Sequence, residues 1–178
     1  MASWTAVVLA GGRGSRLGGV DKASVVVDGR TLLAHVLDAV ALARRRVVVG
    51  PRKDDVPGVT WAREDPPGGG PVAGLAAGLA HVATDLVVVL AVDQPGITRS
   101  TVDRLLAAVG DTGAVLVDEE GRSQWLAGAW RTGSLRRAVP ADPRDVSMRS
   151  VLGPLDPVPV AAEPGEARDV DTPGDLEP

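Results

Sequence analysis

The feature that most constrains the fold of this chain is a regular alternation between two kinds of segment. Short apolar or β-branched runs occur at Trp4 to Ala10, Arg46 to Gly50, Leu86 to Val92 and Ala114 to Asp118. Each has the length of a strand buried on both faces. Stretches with helical spacing lie between them. Thr31 to Ala43 lines up Leu32, Leu33, Val36, Leu37, Val40 and Leu42, with Thr31 as a cap. A second stretch starts at Pro71, a residue suited to a first helical position, and runs through Val72, Leu75, Leu79 and Val82. A third opens at Ser100, with Asp103 as a weak capping-box partner, and continues through Leu105, Leu106 and Val109. Strands that alternate with helices predict a mainly parallel sheet with helices on both faces.

Past Asp118 the pattern changes. Glu120-Gly121 reads as a turn, Ser123 to Trp130 as a returning strand, and Ser134 to Val139 as a short helix. The proline-dense stretch from Pro154 to Pro164 suits an edge segment or loop, since proline cannot donate to a ladder. The expectation is an α/β sheet with one antiparallel insertion. A chain of 178 residues is sufficient for one domain over 1–178, burying roughly 70% of its extended surface.

Composition removes several function classes. The formal net charge of -4 supplies no broad positive field, so nucleic acid is not an expected partner. There is no cysteine, which excludes disulfides, thiolate zinc sites and a thiol nucleophile and leaves oxygen ligands and a hard cation. The longest apolar run, Leu86 to Val92, is far below the ~20 residues that span a bilayer, and the start of the chain lacks a basic segment leading into a long apolar one. The expected setting is cytoplasmic, without a membrane partner.

In open α/β sheets ligands bind at the carboxyl ends of the strands, and three of those ends carry chemistry. The first strand runs into Leu9-Ala10-Gly11-Gly12-Arg13-Gly14-Ser15-Arg16-Leu17-Gly18-Gly19-Val20-Asp21-Lys22. Glycines let a backbone curl so that amides face an anion, and Arg13, Arg16 and Lys22 add positive charge, so the natural reading is phosphate binding. Two well-known alternatives do not match. A Walker loop needs Gly-Lys followed by Ser or Thr, whereas Lys22 follows Asp21 and precedes Ala23. A dinucleotide fingerprint needs a third glycine where Leu17 stands and a helix where the strand-like Ser24 to Val27 follows. The second strand also ends in Gly50-Pro51-Arg52-Lys53, with no acidic residue for a ribose.

The third run ends in Asp93-Gln94-Pro95. Magnesium is held by one or two carboxylates plus substrate phosphates, so Asp93 is the candidate metal ligand. Between these two ends lies Glu64-Asp65-Pro66-Pro67-Gly68-Gly69-Gly70-Pro71, which reads either as an anion or base-edge site at a helix start or as a mobile connection. His35, His81, Arg44-Arg45-Arg46 and Arg136-Arg137 read as structural or solvated. Trp125 and Trp130 read as core, with Gln124-Trp125 as an alternative lining for an acceptor site.

Taken together, Leu9 to Lys22, Glu64-Asp65 with Gly70 to Leu75, Val92 to Pro95, and Asp169-Val170-Asp171-Thr172-Pro173-Gly174-Asp175-Leu176 resemble the molybdenum cofactor guanylyltransferase (MobA-like) nucleotidyltransferases, in the family's order and across most of the chain. The resemblance implies a Rossmann-like nucleotidyltransferase fold. It also implies transfer of GMP from GTP to the terminal phosphate of molybdopterin, with Mg2+ and release of pyrophosphate. Under it, Leu9, Ala10, Gly11 and Gly12 hold the nucleotide by their backbones, and Arg16 and Lys22 meet the phosphates as catalytic cations. Asp65 contacts the nucleoside, and Asp93 binds the metal.

Two positions depart from the family pattern. Gly50 stands where the family often carries Asn, so a side-chain contact to the nucleotide is missing. Asp169-Val170-Asp171-Thr172-Pro173 replaces the Asn-x-Asn-Thr-Pro of many guanylyl enzymes and is closer to relatives that use CTP or sugar phosphates. Asp171 is either a second metal ligand or a helix cap. The alternative functions are a transferase of the same fold using CTP with molybdopterin or an NTP with a sugar phosphate, and a non-catalytic nucleotide-binding module.

Overall fold

A computed structural model of the chain describes residues 3–11 and 21–170. Its strands are β1 (Trp4–Leu9), β2 (Val26–Val27), β3 (Arg30–Thr31), β4 (Arg45–Val49), β5 (Thr60–Ala62), β6 (Leu86–Ala91), β7 (Gly113–Val117), β8 (Ser123–Arg131) and β9 (Val158–Ala161). Its helices are α1 (Leu32–Ala39), α2 (Pro71–Leu79), α3 (Arg99–Ala108), α4 (Thr132–Ala138) and α5 (Met148–Leu152). Seven strands form one sheet in the order β5-β4-β1-β6-β8-β7-β9, and β2-β3 make a separate ribbon. All pairings in the large sheet are parallel except those of β8, which runs antiparallel to both β6 and β7. The sheet is therefore mainly parallel with one antiparallel insertion, as expected. Among the described residues no helix is long and apolar enough to cross a membrane.

Every residue of β1 is buried, and the alternation of side chains divides them between two apolar layers. Ala6 and Val8 join Leu32, Leu33 and Val36 of α1 and Val102 and Leu105 of α3. Val7 and Leu9 join Val72, Leu75 and Leu79 of α2, Leu135 of α4 and Val151 of α5. A strand covered on both faces must be apolar at every position, which is why these runs lack the polar alternation of a half-exposed strand.

Local signals set several boundaries. Thr31 caps α1 by accepting from Ala34 N–H, and Pro71 occupies the first turn of α2. Other boundaries differ from expectation. Helix α1 ends at Ala39, so Leu42, predicted for its apolar side, is 56% exposed. Helix α3 is capped by Thr98 rather than Ser100, with Thr98 and Thr101 exchanging side-chain and backbone hydrogen bonds. Threonine at both positions supplies the capping box that Ser100 and Asp103 were expected to form. The strand-like Ser24 to Val27 is split: Lys22–Ser24 is a 3₁₀ turn, and only Val26–Val27 pairs, with β3. Helix α4 starts at Thr132, two residues before the predicted Ser134. Strand β5, of three residues, and helix α5, of five, are too short to show a period in sequence. His35 Nε2 lies 2.9 Å from Val27 O, a structural role as expected. Arg136 is not simply solvated, because its guanidinium donates to Leu79 O and Val82 O at the end of α2.

The segment after β9 turns back over the start of α3. Glu166 is 4% exposed. Its carboxylate accepts from Thr101 Oγ1, from Arg104 Nη2 at 2.6 Å and from the Glu163 N–H at 2.7 Å. Burial pushes this carboxyl up, but the hydrogen bonds from Arg104, Thr101 and Glu163 outweigh it and hold the group below its ordinary value.

Two predictions follow from this packing. A methyl at Gly78 of α2 would lie 2.5 Å from Val7 Cγ1 and 3.1 Å from Val49 Cγ2, whereas one at Gly74 would make ordinary contact at 3.5 Å with Leu9 Cδ2. Gly78→Ala is expected to cost ~1–3 kcal/mol in urea unfolding. Gly74→Ala is expected to be neutral or to stabilise by up to ~1 kcal/mol through helix propensity. Glu166 supplies a pH dependence whose sign is fixed by its depressed folded value. On acidification it stays ionised in the folded chain while the unfolded chain, at its ordinary value of 4.5, takes up a proton. Its contribution is therefore complete above that value and lost as pH falls through the folded one. The melting temperature is expected to drop between about pH 5 and pH 3 more steeply in the wild type than in Glu166→Gln.

Candidate active site

Parallel pairing of β1 with both neighbours brings three strand ends to one rim of the sheet. Leu9 pairs with Val49 on one side and Ala91 on the other, so Ala10-Gly11, Gly50 and Val92-Asp93 emerge side by side. β5 pairs with β4 in parallel, Val49 opposite Ala62, and brings the Glu64 to Pro71 segment to the same rim. Lys22 closes the group: its ammonium lies 3.3 Å from Asp93 Oδ2, with the two side chains 19% and 25% exposed. The two most chemically loaded motifs, 71 residues apart in sequence, are in contact.

Lys22 is presented by a braced turn. Asp21 caps the 3₁₀ turn, accepting from Ala23 N–H at 3.2 Å and Ser24 Oγ at 3.0 Å. Lys53, from the loop after β4, pairs with Asp21 and donates to Ser24 Oγ at 2.7 Å. Partial burial raises the Asp21 carboxyl, but its hydrogen bonds with Lys53 and Ser24 prevail and hold it below the ordinary range. Lys53 was considered in sequence only as part of a strand end without a carboxylate; a lysine at a strand's carboxyl end was the available signal.

The amides at the start of the glycine-rich loop have a different use from the one expected. Ala10 N–H and Gly11 N–H both donate to Val49 O, at 2.9 and 3.0 Å, and Leu9 O accepts from Val92 N–H. The amide hydrogens of residues 10 and 11 are thus engaged within the protein. Gly12, Arg13 and Arg16 lie outside the described residues, as does Asp171. Gly50 packs against this turn so closely that a Cβ would sit 3.1 Å from Gly11 N and 3.2 Å from Ala10 C. An asparagine there would require the turn to give by a few tenths of an ångström.

Asp65 is exposed at the head of its loop. The loop is tethered despite its glycines: Glu64 Oε1 accepts from Gly68 N–H, and Gly69 O accepts from Asp145 N–H at 2.9 Å. Across the rim, Gln124 donates Nε2 to Asp118 Oδ2 at 3.0 Å, which fixes its amide orientation because a carboxylate only accepts. Its Oε1 then receives Gln94 Nε2 at 3.2 Å, leaving Gln94 Oε1 buried without a donor among the described residues. Gln124 thus joins the site's polar border, while Trp130 is fully buried and Trp125 packs on the core.

A divalent cation bound mainly through substrate phosphates fits this donor set. Asp93 offers a partly exposed carboxylate, a hard oxygen donor of the kind such a cation takes, and positive charge already stands against it in Lys22. No cluster of three or more metal-ligating side chains occurs among the described residues, so those residues alone form no closed cage.

The match to known proteins agrees with this geometry. Over residues 6–158 the chain matches the MobA-like NTP transferase domain. It is 34% identical over 126 residues to a molybdenum cofactor guanylyltransferase of Vibrio cholerae, covering 68% of this chain and 61% of that protein. The chain spans about three fifths of the length of the curated relatives it matches. Among solved structures, molybdopterin-guanine dinucleotide biosynthesis protein A from Archaeoglobus fulgidus superposes with a TM-score of 0.69 at 22% identity, covering 97% of this chain and 94% of that one. The 2-C-methyl-D-erythritol 4-phosphate cytidylyltransferase of Thermus thermophilus gives 0.72 at 24%, covering 96% and 94%. With a seven-stranded sheet of the nucleotidyltransferase type and a family match over most of its length, this chain belongs to the MobA-like NTP transferase domain family.

Proposed function

We propose that the chain is a magnesium-dependent nucleotidyltransferase, a single domain over 1–178, that moves GMP from GTP to the terminal phosphate of molybdopterin and acts in the cytoplasm. The observation that carries this reading is the contact between Lys22 and Asp93 at the rim where β1 ends. A phosphate-seeking cation and a metal-seeking carboxylate are held together at that rim.

In the transfer, a phosphate oxygen of the acceptor attacks the α-phosphorus, the bond from that phosphorus to the bridging oxygen breaks, and pyrophosphate leaves with the electron pair. The attacking group is already an anion near neutral pH, so no strong general base is required. Catalysis then consists of alignment and charge neutralisation. Asp93, with Asp171 as a second candidate ligand, would hold Mg2+, which neutralises phosphate charge when bound. Lys22 turns from Asp93 to the triphosphate, and Arg16 supplies a second cation there. Leu9, Ala10, Gly11 and Gly12 border the nucleotide with main-chain atoms, and Asp65 contacts the nucleoside.

Gly50 favours keeping a second reading in view. With glycine at this position no side chain contacts the base, which fits CTP in place of GTP on the same acceptor or on a sugar phosphate.

Asp93→Ala is expected to lower pyrophosphate release by roughly 10²-fold or more while the melting temperature stays near wild type. Lys22→Ala is expected to weaken triphosphate binding as well. An unchanged rate in Asp93→Ala with magnesium present would count against the assignment. GTP with Mg2+ at 100 times its dissociation constant is expected to add about 2.7 kcal/mol of apparent stability, read as a thermal shift. Equal or greater stabilisation by CTP selects the second reading.

A further inference from the structure

The loop that carries Asp93 is fastened from outside the glycine-rich motif. Val170, 2% exposed, donates its N–H to Asp93 O at 2.7 Å. The same returning segment touches the loop again at Gly96, where an added Cβ would sit 2.1 Å from Gly165 O. Backbone therefore lies on backbone at two places along four residues. Among the described residues, 163–170 belong to no strand. Glu166 ties this segment to α3: its carboxylate takes hydrogen bonds from Thr101 and Arg104 and closes its own turn through Glu163 N–H. Arg104 also donates to Ala161 O at 2.8 Å and so ties the end of β9 to the same point.

We propose that Glu166 is a positioning residue for Asp93: by pinning the Glu163–Val170 segment to α3, it fixes the main chain of the Asp93 loop and thereby the direction in which that carboxylate meets a magnesium–triphosphate complex. This rests on the reading of Asp93 as the metal ligand. The physical basis is that a carboxylate near 25% exposure on a loop after a strand loses aim when its own carbonyl is released, and metal affinity depends on ligand orientation set by outer partners. Glu166 itself touches neither nucleotide nor metal.

The test uses the full chain and a GTP analogue with a methylene bridge between the α and β phosphorus, which cannot be cleaved. Mg2+ is titrated against protein saturated with the analogue, and the metal-specific rise in melting temperature gives the half-saturating concentration. Glu166→Ala is expected to raise that concentration roughly 10-fold or more, with binding of the metal-free analogue within about twofold of wild type. A purely structural role would lower the starting melting temperature without moving the magnesium midpoint. Glu166→Gln guards against loss of folding in the alanine variant. It keeps the shape but turns an amide nitrogen or loses an acceptor toward Arg104 or Glu163 N–H, so an intermediate shift is expected. A wild-type magnesium midpoint in folded Glu166→Gln, or in folded Glu166→Ala, overturns the proposal. Asp93→Ala separates the two levels. If it retains the wild-type midpoint, or if the wild type shows no metal-specific rise, the functional reading fails and the positioning role with it. If Asp93→Ala abolishes the rise while the Glu166 variants leave the midpoint unmoved, only the positioning role fails.

Discussion

Parallel pairing of β1 with β4 on one side and β6 on the other is the constraint from which the rest of the molecule follows. It commits both faces of β1 to apolar contact, so helices must cover the sheet on both sides. It also places three strand ends in register, so that the turn after Leu9, the Gly50 bend and Asp93 share one border without any of them having to reach. Val49 O accepting two successive amides from residues 10 and 11 extends that pairing one step past the last ladder residue. The chain leaves β1 in a fixed direction as a result, and Lys22 returns to Asp93 from a braced turn.

Much of this was legible in the amino-acid order because the signals are local. Buried parallel strands are continuous apolar runs, a threonine before a periodic stretch caps it, and a proline opens a helix; β1, β6, the Thr31 cap and the start of α2 obey these rules. The antiparallel β8 was likewise announced by a turn at Glu120-Gly121. What escaped was decided by partners far away in the chain. β5 has three residues and exists because Val47–Val49 offers it an open edge. Arg136 reads as a surface charge until α2 presents its unsatisfied carbonyls. The α3 cap is a local exception: Thr98 holds it rather than Ser100 because Thr101, three residues on, returns the bond.

The site divides in the same way. Lys22 and Asp93 could be named from residue type and from their position after strand-like runs, since ligands collect at carboxyl ends of parallel strands. The supports around them could not. Lys53 braces Asp21 across 32 residues, and Gln124 sits behind Gln94 across 30. Such pairs have no spacing rule, because they are made by the sheet order rather than by either segment. The amide at Gln124 can be oriented only once Asp118 is seen beside it.

Gly50 carries a consequence for how such a chain can change. With Gly11 and Ala10 pressed against its Cα, this position cannot acquire a side chain without moving the turn that follows β1. As a glycine, residue 50 presents only peptide backbone to its surroundings. A substitution at this corner therefore acts first on the path of the main chain after β1.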